Sequence, residues 1–364
     1  MSGEGPDDCA RALSRLDAAT VGPACVVTGA AGYLGGHLVA RLLALGCEVR
    51  AFDVRPYSGD ARAEVVVGDV RRYDQVAEAV EGADVVFHTA SVIDTRGFAP
   101  PRARRRAWDV NVLGTEHVVR ACDRLEVDRL VHTSSINVAM EHVVDEGDES
   151  TPYATGAFDL YTQTKVAAER VVLAADDPGG LRTVALRPGG IWGGGECGLM
   201  VQRFIEQLAA GKFVALIGGG RSLVDNTHVE NLVDAQLLAA AALASAPERV
   251  GGQAYFITDD ERFNGLEWFR PLAEALGHRF PRARLPGRLM YAVGALAEAA
   301  SLRGGPEPTL TRRGVLNLTQ SSSFRIDKAR RDLGYAPRVR RDDGLADLLP
   351  DARALYERAA RRAS

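Results

Sequence analysis

A chain of 364 residues is longer than one hydrophobic core usually supports, so one large α/β unit with a second, smaller lobe is the starting expectation. A formal net charge of −4 and a pI near 6.0 offer no basic field to a polyanion, which excludes a nucleic-acid partner and leaves a small ligand. The cysteines Cys9, Cys25, Cys47, Cys122 and Cys197 contain no CxxC pair, so neither a dithiol nor a cysteine metal motif is present and a reduced, cytoplasmic setting fits.

Residues 1–22 are acidic and rich in small side chains, without the basic start and apolar core of a secretory signal, and are expected to form a flexible tail. From Ala24 onward short apolar runs alternate with amphipathic stretches, the pattern of βα units feeding a doubly wound parallel sheet. Strands are predicted at 24–28, 48–53, 64–67, 84–88, 130–133 and 183–186, with helices at 33–45, near 71–81, at 104–125 and at 158–175 between them. Regular alternation is then lost until an Ala-rich helix at 231–244 and a strand at 254–258 that returns to the sheet. Helices near 265–276, 287–302, 327–333 and 343–360 follow. The division expected is 23–190, with 225–260 returning to it, for the dinucleotide-binding domain, and 191–224 with 261–364 for a smaller, mainly helical substrate lobe. No apolar run reaches the roughly 18 residues that span a bilayer. The 287–302 stretch is interrupted by Gly294 and Glu298, and only peripheral membrane contact stays open for it.

Thr28-Gly29-Ala30-Ala31-Gly32-Tyr33-Leu34-Gly35 follows the first strand and opens the first helix, where a dinucleotide pyrophosphate docks. Glycines there allow a tight turn, close approach of backbone to phosphate, and a helix N-terminus facing negative charge. A glycine triplet alone is equally an ordinary strand-to-helix turn. Asp53, at the end of the second strand, stands where an acid accepts hydrogen bonds from the adenosine ribose and repels a 2′-phosphate, favouring NAD over NADP, although Arg55 is close by in sequence. Asp69, followed by Val70, suits either an adenine contact or a helix N-cap.

Tyr161 and Lys165 stand one helical turn apart, so phenol and ammonium share a face. A cation beside a phenol lowers its pKa and lets it exchange a proton as hydride moves to or from a nicotinamide. The alternative, an i,i+4 surface pair, is disfavoured by position: the preceding strand ends in Thr133-Ser134-Ser135 at the carboxyl edge of the sheet, where such folds bind ligands.

Together these residues resemble the extended short-chain dehydrogenase/reductase superfamily, whose signatures are TGxxGxxG, an acid after the second strand, a serine after the fifth, and YxxxK. The resemblance runs from about Cys25 to Pro337 and includes Arg187-Pro188-Gly189-Gly190-Ile191-Trp192-Gly193, similar to RPxxIYG, and the HV-containing segment Asn226-Thr227-His228-Val229. Within the superfamily the likeness is greatest to bacterial 3β-hydroxysteroid dehydrogenases, through Val131-His132-Thr133-Ser134-Ser135 and Asp159-Leu160-Tyr161-Thr162-Gln163-Thr164-Lys165. It implies a Rossmann-type fold, NAD as cofactor, and Ser135, Tyr161 and Lys165 as catalytic residues. It also implies that Gly29, Gly32, Tyr33, Leu34, Gly35, Asp53, Asp69, Val70, Ala90, Ser91, Asn111, Thr133, Pro188 and Ile191 hold the cofactor with Tyr161 and Lys165, that Asn111 braces the site, that no metal is used, and that the chain forms a homodimer.

Sugar-nucleotide epimerases and dehydratases share much of this pattern, and three departures separate them from this chain. Ile136 and Asn137 stand where dehydratases carry an Asp-Glu pair, Val224 where epimerases carry a diphosphate-binding arginine, and Gly190 where they carry the asparagine of RxxN. The expected reaction is NAD-dependent oxidation of a secondary alcohol on an apolar polycyclic substrate, foremost a 3β-hydroxysteroid, with Δ5 to Δ4 isomerisation left open. Alternatives are a ketoreductase or epimerase of a polyketide-like, flavonoid-like or nucleotide-sugar substrate, and a non-catalytic NAD-binding regulator. Ile191, Trp192, Leu199, Met200, Val201 and Phe204, with the 287–302 helix, are candidates for an apolar substrate wall, with plain lobe core the expected role of most of them.

Overall fold

Val, Ala and Phe dominate the strands of the first half of the chain, and a strand covered by helices on both faces reads as such a continuous apolar run. The computed structural model describes residues 6–93, 101–156, 159–303, 305, 308 and 310–363. Its central sheet is built from Ala24–Thr28 (β1), Glu48–Asp53 (β2), Glu64–Val67 (β3), Val85–His88 (β4), Arg129–Thr133 (β5), Arg182–Pro188 (β6) and Gln253–Ile257 (β7). All neighbours are parallel, in the order β7-β6-β5-β4-β1-β2-β3. The order reverses between β1 and β4, so a crevice opens at their carboxyl ends, where doubly wound sheets bind ligands. Register brings Thr28, His88, His132 and Ala185 into line across that edge.

Alternate side chains of β1 serve the two faces. Cys25 and Val27 pack under Tyr33–Ala44 (α1) and Val229–Ser245 (α3), whereas Val26 packs with Val76, Val118 and Leu130 on the opposite side, which Leu160–Ala174 (α2) also joins through Val172. Leu34, Leu38 and Leu42 of α1 are buried at i, i+4 and i+8, and burial of each contributes about 2 kcal/mol.

The helix expected at 104–125 is in fact three pieces: Pro101–Trp108, a π-helical turn Asp109–Leu113, and Gly114–Arg124. Such wide turns re-aim one side chain and recur at functional sites; here the side chain is Asn111.

The smaller lobe has its own core, in which Trp192, Phe204, Trp268 and Phe269 pack with Leu345 and Leu348 of the C-terminal helix Arg341–Ala363. Gly287–Leu302 (α4) and Arg312–Thr319 (α5) pack on each other. No helix among the described residues is long and apolar enough to cross a membrane.

Three expectations differ from what is observed. The first is the flexible tail. Its first five residues lie outside the described ones, but Pro6–Leu13 and Ala18–Val21 are helical, and Cys9 and Val21 are fully buried in the core that α3 shares with the sheet. The second is the 327–333 helix, expected in the substrate lobe. Ile326, Ala329, Leu333 and Tyr335 join the sheet core instead, and Tyr335 donates to the carbonyl of Thr258 at 2.9 Å. The third is a small sheet absent from the sequence pattern, in which Phe263–Asn264, Leu223–Val224, Ser322–Phe324 and Val144–Gly147 line up; strands of two to four residues are too short to show an alternation.

Candidate active site

Gly29 turns the chain at the end of β1 with φ +77°, and a Cβ there would lie 2.7 Å from the amide nitrogen of Ala90. A Cβ on Gly35 would lie 2.2 Å from the carbonyl oxygen of Gly29, so both glycines are required by geometry. Gly32 is the N-cap of α1, and no side chain occupies the cap. Asp53 accepts from the amide of Ala31 at 3.2 Å and from that of Arg55 at 3.0 Å, while the Arg55 guanidinium donates to the Ala31 carbonyl at 2.7 Å. The acid at the tip of β2 is thereby tied to the glycine turn. A backbone cradle that tolerates no side chain, an open helix N-terminus and a carboxylate beside it together fit a dinucleotide.

The remaining cofactor candidates are distributed around this cradle. Leu34 is buried in the first turn of α1, and Tyr33 donates to the carbonyl of Gly194 at 3.2 Å, tying the turn to the loop after Trp192. Asp69 is not a helix cap: it accepts from the amide of Arg71 at 2.9 Å and pairs with the Arg71 guanidinium, and Arg72 caps the next helix. Val70 is core, packed where a Cβ on Gly114 would lie 2.7 Å away. Pro188 ends β6, and Ile191 lies in Gly190–Trp192, which pairs with Asn226–His228.

At the carboxyl end of β5 the chain leaves the sheet through Ser135, which caps a short 3-10 turn, Ile136–Ala139. Asp159 caps α2 by accepting from the amide of Thr162 at 2.9 Å, and so fixes the first turn, which carries Tyr161. Ser135, Tyr161 and Lys165 are 6%, 8% and 3% exposed. The Tyr161 phenol is pushed up to about 12 by burial, with the charge of Asp159 acting the same way and a hydrogen bond from Ser135 opposing both. A phenol lowered by Lys165 is the expectation; the largest effect on the phenol is instead its burial. The ammonium donates to the carbonyl of Thr133 at 2.6 Å, and burial draws it down to about 8 against the opposing charge of Glu169.

Asn111 projects from the π-helical turn between the β4 loop and α2. Its amide donates to the Val92 carbonyl and to the Thr164 hydroxyl, both at 3.0 Å, and its oxygen accepts from the Val92 amide at 2.7 Å and the Ser91 hydroxyl at 3.2 Å. Those four bonds saturate an asparagine. Asn111, which the resemblance gives both as a brace of the site and as part of the cofactor set, spends all four bonds bracing the Ser91 loop against the helix of Tyr161. Thr133 is similarly engaged, its hydroxyl accepting from Gln236 of α3 at 2.7 Å.

Several buried polar groups here are not among the residues that the sequence singles out. His88 meets Thr28 at 2.7 Å and Thr115 at 3.0 Å, and because Thr115 donates onward to the Asn111 carbonyl, the imidazole donates through Nε2 and accepts at Nδ1. Burial lowers it to about 3 and lowers His132, its ring tilted by 32° at 5.3 Å between centroids, as well. Glu169, fully buried, accepts from Arg187 at 2.6 Å and from the Tyr153 hydroxyl at 2.7 Å. Its place one turn beyond Lys165 on the same face was the available clue.

Of the proposed apolar wall, Trp192, Val201 and Phe204 are lobe core, and Trp192 donates to Asp259 at 2.8 Å. Leu199 is 38% exposed. Ile136 packs with Phe256 and Phe324. The Gly190 position is crowded, since a Cβ would lie 3.0 Å from the Asn226 side-chain oxygen and 3.2 Å from the Met200 sulfur.

Residues 26–287 match the model of the 3-beta hydroxysteroid dehydrogenase/isomerase family. A protein of Mycobacterium tuberculosis named 3 beta-hydroxysteroid dehydrogenase/Delta 5-->4-isomerase is 41% identical over 341 residues, 91% of either chain. The 3-beta-hydroxysteroid dehydrogenase of Mycolicibacterium neoaurum is 39% identical over 91% of this chain and 92% of its own. Short-chain dehydrogenase/reductase family 42E member 1 of Danio rerio is 40% identical over 86% and 84%. Among solved structures, MoeE5 in complex with UDP-glucuronic acid and NAD superposes with a TM-score of 0.70 at 26% identity, covering 92% of this chain and 99% of that one.

Proposed function

The chain belongs to the 3-beta hydroxysteroid dehydrogenase/isomerase family, and on that premise we propose that it oxidises the secondary hydroxyl of a 3β-hydroxysteroid with NAD, using Ser135, Tyr161 and Lys165. One observation carries this reading: a phenol, a hydroxyl and an ammonium, all nearly buried, converge at the carboxyl end of β5 and the first turns of α2, beside the crevice that the glycine cradle opens.

Gly29, Gly32 and Gly35 would hold the pyrophosphate, Asp53 the adenosine ribose, and Ala90, Ser91, Pro188 and Ile191 would line the nicotinamide half. When bound, NAD supplies the hydride acceptor. The protein supplies the proton path. Ser135 donates to the reacting oxygen and orients it, and Tyr161 in its ionised form takes the hydroxyl proton. Because burial holds this phenol high, Ser135 and Lys165 are needed to stabilise the phenolate, with Lys165 held in place by the Thr133 carbonyl. In the reverse direction neutral Tyr161 returns the proton to a carbonyl.

An apolar substrate is supported by what replaces the sugar-nucleotide residues. Ile136 sits in an apolar cluster where an acid would be needed. Gly190 has no room for an asparagine unless Asn226 and Met200 shift. Δ5 to Δ4 isomerisation is proposed as a second step from the name of the M. tuberculosis relative, and is read as the ultraviolet absorbance of a conjugated enone. The dehydrogenase reading is tested by following NADH formation with 3β-hydroxysteroids and, in parallel, with UDP-sugars. Growth with the steroids supports it; growth with the sugars alone overturns it.

A further inference from the structure

Asp159 does more than cap α2. Its Oδ1 accepts from the amide of Thr162, while its Oδ2 faces Arg313 of α5, 3.4 Å from the guanidinium Nε. Both side chains are almost fully removed from solvent, 0% exposed for the acid and 6% for the arginine. An arginine buried in that way is anchored by what it touches, and Arg313 touches two parts of the site: Asp159, two residues before Tyr161, and the carbonyl of Met140 at 3.4 Å, at the end of the 3-10 turn that Ser135 caps. The residue before it, Arg312, points the other way and donates to Glu298 of α4 at 2.7 Å. The first turn of α5, capped by Thr311, therefore bridges the smaller lobe and the two segments that present Ser135 and Tyr161.

We propose that Arg313 is a positioning residue for Tyr161, binding the Asp159 cap and the Ser135 turn to the smaller lobe and neutralising the Asp159 carboxylate that stands next to the phenol. The proposal rests on Tyr161 as the proton-transfer group. Asp159 is the acidic neighbour that raises the phenol, and a buried carboxylate whose counterion is removed raises it further. Other ionisable groups around the first turns of α2 already have partners or lie away from the phenol. Lys165 is held by Thr133, Glu169 is paired with Arg187, His132 is buried beneath in β5, and Arg102, Arg104, Arg105 and Arg106 of the adjoining helix are solvated or partly so.

The test is the pH profile of kcat/KM for steroid oxidation in Arg313→Met, Arg313→Lys, Asp159→Asn and the Arg313→Met/Asp159→Asn double variant, with NAD binding to each as the check of folding. One limb of the profile is expected to move up by about one pH unit in Arg313→Met and down in Asp159→Asn. It is expected to return towards the original in Arg313→Lys and in the double variant, and the loss in Arg313→Met should fall on kcat with the KM for NAD unchanged. An unmoved limb in variants that bind NAD overturns the proposal. If Arg313→Met fails to fold, the opposition between Asp159→Asn and the double variant decides it in the same way. Undiminished turnover in Tyr161→Phe would remove the premise instead, whatever the Arg313 variants do.

Discussion

Lys165 donates its ammonium to the main-chain carbonyl of Thr133 across 2.6 Å, joining the helix of the phenol to the strand that leads into Ser135. The contact fixes a side chain that burial has made a weaker cation, down to about 8, and Glu169 one turn away keeps it from falling further. Removing the cation should cost catalysis more than folding. Lys165→Met is expected to lower kcat about 10²- to 10⁴-fold while retaining a cooperative thermal transition, measured by steady-state kinetics beside calorimetry.

Glu169 and Arg187 form a pair with 0% and 5% of their side chains exposed. Breaking such a pair from one side leaves an uncompensated buried charge, at a cost of about 3–5 kcal/mol. Glu169→Gln should lower stability by that order in urea unfolding, and should also lower kcat, because it removes the charge that supports protonated Lys165.

Asp53 is tied to the glycine turn through Ala31, with Arg55 arching over the same peptide. With the carboxylate gone the arginine is left to meet a 2′-phosphate. Asp53→Ala is expected to reduce kcat/KM for NAD about tenfold and to raise that for NADP, a shift of about 1.4 kcal/mol for each factor of ten. Unchanged selectivity would separate Asp53 from the ribose.

Asp225 is 2% exposed, its Oδ2 accepts from the amide of Phe324 at 2.6 Å, and burial raises it to about 7. Between its unfolded value and about 7 the folded chain binds the extra proton, so stability falls as pH rises through that window and stays lower above it. Asp225→Asn keeps an acceptor for Phe324 and removes the titration. Its melting temperature should exceed that of the unaltered protein at pH 8, reflecting on the order of 4 kcal/mol of stability, and match it near pH 4.

The central sheet was legible in the sequence because buried parallel strands are apolar runs bounded by turns, and all seven were located within a residue or two at each end. Ser135, Tyr161 and Lys165 could be singled out as candidates because the phenol and ammonium share a helix face and the serine ends a strand at the carboxyl edge of the sheet, and the structure brings the three segments together. The second role of Asp159, the His88 relay and the arginine pair of α5 were not legible, since they depend on partners 14 to 173 residues away that no local pattern connects. Cys9 and the 327–333 helix were misplaced for a related reason: short amphipathic segments carry no record of which of two cores they join. Asn111 was found by resemblance as a brace, and the π-helical turn adds which two segments it joins.

The most direct test of the central claim is NADH formation on a 3β-hydroxysteroid by the unaltered chain and by Tyr161→Phe, with NAD binding measured for both. Turnover by the first, a loss of about 10³-fold or more in the second, and equal NAD affinity are expected. Undiminished turnover by Tyr161→Phe would contradict the assignment of the phenol as proton acceptor.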